Sequence, residues 1–151
     1  MQSQCLYLLL CLCVFFPVSS KDLYFRHIDL NEDFTQPSAI SIYQDAQGLV
    51  WFGNDNLNVY DGRVVRSFRL SSYLEEVEDN NIHGICGDGH SYVYMLADKK
   101  LIVFDKQAEA FRPAGVEAQA LEYHDGVLYY AAQNRVFRYI SEGVKEMVCI
   151  L

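Results

Sequence analysis

Three stretches of this sequence align with one another: residues 38–70, 81–113 and 116–147. Trp51, Tyr94 and Tyr129 take the same place in the alignment, as do Tyr60, Phe104 and Tyr139. Asp45 matches Asp88, and Phe68 matches Phe111. The period is about 35–43 residues, which belongs to arrays of small structural units rather than to a single irregular domain. Whatever this chain folds into must therefore repeat.

Each stretch parses as four short strands. In the first they fall at about 39–44, 49–53, 57–61 and 64–69. In the second they fall at about 82–87, 91–97, 100–105 and 110–113, and in the third at about 118–123, 126–132, 135–139 and 144–149. Residues that tolerate a left-handed backbone sit where the chain must reverse: Asp45 to Gly48, Asp61-Gly62, Asp125-Gly126, and Gln133-Asn134. The second strands read Leu-Val-Trp-Phe-Gly, Tyr-Val-Tyr-Met-Leu and Val-Leu-Tyr-Tyr-Ala. Their apolar runs are continuous, so both faces of each sheet are expected to be covered.

Four-stranded sheets, covered on both faces and repeating at this spacing, describe the blades of a β-propeller. A β-sandwich is the structural rival, but it has no reason to return an aromatic to one place in a four-strand repeat. The expected fold is all-β, with about three four-stranded blades of an incomplete β-propeller at about 38–70, 81–113 and 116–149. Propellers have about four to eight blades, so a ring needs about 160 to 320 residues. Three blades fall short of that. A strand at about 22–28, Tyr24 to Ile28, precedes the first blade. In a closed ring such a strand completes the last blade.

Residues 1–20 carry no Lys, Arg, Asp or Glu. Their apolar core, 5–16, is shorter than the about 20 residues that span a bilayer. Val18 and Ser20 put small residues ahead of a cut before Lys21, so 1–20 reads as a signal peptide and 21–151 as the exported propeller piece. A lipoprotein signal, with Cys11 or Cys13 lipidated, is the alternative, although both cysteines sit inside the apolar run. Of five cysteines, Cys5, Cys11 and Cys13 leave with the signal. Cys86 and Cys149 fall in different blades and are expected to be buried free thiols.

Composition excludes several classes. A net charge of −8 argues against nucleic acid, whose phosphates need clustered Lys and Arg. It argues equally against anionic lipid. The four histidines, His27, His83, His90 and His124, have no zinc spacing with each other or with Cys. No nucleophile elbow occurs. The sequence thus assigns no catalytic residue, no metal ligand, no cofactor and no ligand-binding residue. Trp51 and the tyrosines are expected between blades rather than on a surface where they would stack on sugars. An acidic stretch at 74–79 is expected at the same end as Asp55 and Asp98. There it is either a solvated loop or a site for a cation or a basic partner.

Gly48-Leu-Val-Trp51-Phe52-Gly53 followed by Leu57-Asn-Val-Tyr60-Asp61-Gly62 resembles the two-component regulator propeller repeat. Asn54 and Asn56 stand where that repeat has Thr and Gly, and the second and third stretches lack Trp-Phe-Gly. The resemblance covers about 22–149. It implies the amino-terminal, periplasmic sensor region of a hybrid two-component histidine kinase, of a kind often concerned with polysaccharide use. The parent would continue through a membrane span, a kinase core, a receiver and a DNA-binding module. None of those is in this chain, which has no second apolar stretch long enough to span a bilayer, so the expectation is a truncated, non-catalytic sensing segment. Its partners would be the remaining blades of the parent or further copies of itself, and its ligand a carbohydrate in the parent. Two other readings stay open: a fragment of a propeller-type polysaccharide hydrolase or lyase, and a small interaction protein that closes a ring by self-assembly.

Overall fold

The computed structural model describes residues 38–141 and 144–150. They form three four-stranded antiparallel sheets, each made of four strands consecutive in sequence. The first sheet holds β1 (Ser41–Gln44), β2 (Val50–Gly53), β3 (Leu57–Tyr60) and β4 (Val65–Phe68). The second holds β5 (Ile82–Gly87), β6 (Tyr92–Ala97), β7 (Lys100–Asp105) and β8 (Ala110–Glu117). The third holds β9 (Ala120–His124), β10 (Val127–Ala132), β11 (Arg135–Ser141) and β12 (Val144–Ile150). A 3-10 turn, Leu70–Ser72, leads from the first sheet towards the second. The architecture is that of three propeller blades in an all-β chain. The expected signal segment 1–20, the expected strand at about 22–28, and His27 lie outside the described residues.

The blades stack because a strand sends alternate side chains to opposite faces. In β6, Val93, Met95 and Ala97 face the first blade and join Trp51, Leu57, Val59, Ile82 and Ile102 in one core. Tyr94 and Leu96 face the third blade and join Leu101, Val103, Leu128 and Tyr130 in another. The continuous apolar run of β6 is thus two alternating sets, each with its own partner sheet. Met95, Leu96, Leu101 and Ile102 are fully buried, and each contributes on the order of 1.5–3 kcal/mol.

Face assignment sharpens the repeat. Trp51 and Tyr94 point to the following blade, while Tyr130 rather than Tyr129 points back at the second. The match of Phe68 with Phe111 fails. Both belong to the first seam, on facing blades, with ring centroids 5.8 Å apart. Val116 and Glu117, placed in the third repeat by the alignment, extend β8 instead. Pro113 does not stop that strand, because β8 is at the sheet's edge, where a residue without an N–H costs no ladder bond. The turn between β6 and β7 also escaped the sequence pattern. Asp98 and Lys99 both adopt positive φ, 48° and 63°, in a two-residue reversal of the kind expected of Asn-Gly.

Candidate functional site

The seam between the first two blades is the most elaborated part of the described structure. It starts with Asp45, at the end of β1. One carboxylate oxygen, Oδ1, accepts the N–H groups of Gln47 and Leu49, each at 3.0 Å, and shapes the β1–β2 turn. Gly48 completes that turn at φ +85°. The other oxygen, Oδ2, accepts Trp51 Nε1 at 3.1 Å and Lys106 Nζ at 2.7 Å. Lys106 follows β7, so this ion pair ties the first blade to the second. The Asp45 side chain is 1% exposed. Burial pushes its carboxyl pKa up, but the hydrogen bonds from Lys106, Trp51 and Leu49 outweigh burial and leave it below the usual carboxylate range.

Two glycines allow the blades to approach. A Cβ on Gly53 would lie 2.5 Å from Ile82 Cγ2, and one on Gly87 would lie 2.7 Å from Tyr43 Cε1. Tyr43 crosses the second blade there, and its hydroxyl accepts the Gly89 N–H at 3.0 Å. Backbone bonds from Ile82 N–H to Asn54 C=O, 2.7 Å, and from Ala46 N–H to Gly89 C=O, 3.1 Å, close the two ends of the seam.

Further out, the two blades diverge and leave a cleft of about 460 Å³. Its wall is aromatic: Trp51, Phe68, Tyr73, Phe104 and Phe111 line it. Trp51 and Phe104 stand 5.5 Å apart, Phe104 and Phe111 4.7 Å, and Tyr73 and Phe111 5.0 Å. Arg66 and Lys106 give it positive charge, His90 and Ser91 add polar atoms, and Glu109 is the carboxylate among its described lining residues. A second cleft, about 670 Å³, opens between the second and third blades and is lined by Tyr92, Tyr94, Tyr123, Tyr139 and Arg112.

The remaining candidates separate. His83, His90 and His124 are exposed, and His124 meets the still more exposed Asp125, at 3.3 Å. Cys86 and Cys149 are unpaired, but Cys149 is exposed rather than buried, because β12 is the free edge of its sheet. Burial, with Glu122 nearby, pushes the Cys86 thiol up to about 12, which leaves it protonated and inert. The acidic connection does lie at the end that holds the β6–β7 turn, where Lys100 Nζ donates to the Glu76 carbonyl. Val77 is buried within it, so the segment is anchored by an apolar plug. Among the described residues no group of three or more His, Cys, Asp or Glu side chains converges as a metal site would require.

Sequence reasoning found Asp45, Gly48, Trp51 and Gly53 as a pattern but missed Lys106 and Arg66. Lys106 lies far from Asp45 in the chain, and only the docking of blades brings the two together. β4 reads Val-Arg-Ser-Phe, a half-polar strand in which nothing in the sequence singled out Arg66.

Residues 33–56, the segment that contains this pattern, match the family model described as two component regulator propeller. Among solved structures, the extracellular domain of a one-component system from B. thetaiotaomicron is similar, with a TM-score of 0.53 and 19% identity over 72% of this chain. The chain spans 15% of that structure. No curated protein matches the sequence. The likeness in structure and the family repeat agree on the fold: propeller blades.

Proposed function

We propose that this chain is a non-catalytic, ligand-sensing propeller segment working in the periplasm, at the amino terminus of a longer sensor of the hybrid two-component type. The observation that carries the reading is the family repeat at 33–56, whose Asp45, Trp51 and Gly53 act in docking one blade onto the next, while Gly48 completes the turn that presents Asp45. Those residues build a scaffold rather than reactive groups. The fold of an extracellular domain in the structural neighbour supports placement outside the cytoplasm. Among the described residues no helix is long and apolar enough to cross a membrane. The carbohydrate ligand and the kinase output come from the resemblance of the repeat.

Sensing and catalysis separate in one experiment. A panel of oligosaccharides is incubated with the protein, and the mixture is followed both by calorimetry and by chromatography of the sugars. A sensor gives heat of binding with every oligosaccharide recovered intact. Release of shorter sugars or of unsaturated ends, lost on heat denaturation, overturns the reading in favour of a hydrolase or lyase.

A further inference from the structure

The cleft between the first two blades has a charge where the seam has no use for one. Across the first sheet one row of side chains faces the second blade: Tyr43, Trp51, Val59 and Arg66, paired in register from β1 to β4. The row begins as aromatic and aliphatic core and ends on an arginine. Arg66 is exposed, and among the described residues it makes no ion pair. The same row in the second sheet runs Cys86, Tyr94, Val103 and Arg112. It too ends on an arginine, which stands over the Tyr92 ring at 6.0 Å in the second cleft. An arginine thus ends this row in the first two blades, whereas in the third the row runs Glu122, Tyr129, Arg138 and Glu146 and ends on a carboxylate.

The first cleft offers such a cation a setting. Phe68 and Phe111 are half-buried and Tyr73 is 57% exposed, so their ring surfaces face the cleft within reach of solvent. Lys106, the other permanent cation of the rim, is already held by Asp45. Arg66 lies in the field of the exposed Asp61, whose carboxyl pKa is lowered by the Val64 and Arg63 N–H groups and, after them, by Arg66. Among the described residues no carboxylate pairs with Arg66 directly, so it is the charge left for a visitor in a protein whose net charge is −8. A guanidinium beside aromatic walls suits a carboxylate carried on a flat apolar body. The fork takes both oxygens, and the rings cover the rest. A fully hydrated inorganic anion would leave the aromatic wall unused, and a neutral ring would leave the arginine unused.

We propose that this cleft binds a small aryl carboxylate, its carboxylate on Arg66 and its ring against Phe68, Tyr73 and Phe111. The site goes beyond the sensing of carbohydrate, and binding there does not depend on whether any glycan binds or any signal is passed.

Trp51 is the single tryptophan of the chain and lines this cleft, so its emission reports on it. The full chain is titrated at constant ionic strength with phenylacetate, 2-phenylethanol and acetate. The expected result is a saturable change with phenylacetate, with a Kd of about 1 mM, and none with the neutral alcohol or with acetate over the same range. Arg66→Ala should weaken phenylacetate about tenfold or more, and Arg66→Lys less. Arg112→Ala, in the other cleft, should leave the titration unchanged. Circular dichroism and melting of Arg66→Ala should match the parent, since this side chain is exposed and among the described residues makes no ion pair. No response to phenylacetate, an equal response to 2-phenylethanol, or equal binding by Arg66→Ala each overturns the site.

Discussion

Asp45 shows how one residue can serve local and long-range structure together. It caps its own turn through one oxygen and holds Trp51 and the next blade's Lys106 through the other. Removing either partner of a buried pair strands the other charge. Asp45→Ala or Lys106→Met alone should therefore cost about 2–4 kcal/mol of unfolding free energy. The double variant should cost less than the sum of the two, because no buried charge is left unpaired. The pH dependence follows from the lowered Asp45 pKa. Its stabilisation is complete above the unfolded-state value of 3.8 and is lost as pH falls through the folded-state value. Urea midpoints measured from pH 6 down to pH 3 should fall in the parent and fall less in Asp45→Asn. At this scale the sequence showed which residues recur but not what they touch. Asp45 and Asp88 align, and both cap turns; Asp88 accepts the N–H groups of His90, Ser91 and Tyr92. In Tyr94 the second blade has no indole N–H at the place of Trp51, so a carboxylate there has lost one of the donors that Asp45 keeps.

At the scale of elements, the strands were legible because turn residues and apolar runs are local signals. Most strands lie within a residue or two of the expected positions, and the largest difference is the carboxyl end of β8, which runs on through Pro113 to Glu117. Which face each strand presents was less legible. A continuous apolar run hides the alternation that would reveal it, and only the seams separate Phe68 from Phe111 or Tyr129 from Tyr130. The glycines of the seam supply a test. Gly53→Ala and Gly87→Ala place a methyl group against Ile82 and Tyr43, so each should destabilise by about 1–3 kcal/mol through overpacking. Gly48→Ala meets no atom within 4 Å and should cost only the backbone strain of its φ of +85°, about 1 kcal/mol. Equal losses at all three positions in thermal unfolding would contradict the docking of blades through these glycines.

For the molecule as a whole, the described blades leave sheet surface without a neighbouring blade. Ile40 and Ile42 on the first blade are 57% and 69% exposed, and Met147, Val148 and Ile150 on β12 are 52%, 54% and 69% exposed. On the third blade Tyr130 is buried against the second blade, and the free edge carries the apolar load. Exposed apolar side chains on an unpaired edge strand favour association with other chains. Light scattering over a concentration series should show the purified chain growing in mass, and replacing Val148 and Ile150 by Lys should reduce that growth. Fold was legible from the repeat, whereas the clefts were not, since each is made by two blades and by no one segment. The claim on which the functional reading depends is that the propeller works outside the cytoplasm. Its most direct test joins the full chain to an alkaline phosphatase that lacks its own signal and is active only after export. The account predicts strong phosphatase activity, abolished when residues 1–20 are deleted. An inactive fusion that accumulates intact in the cytoplasm would contradict it.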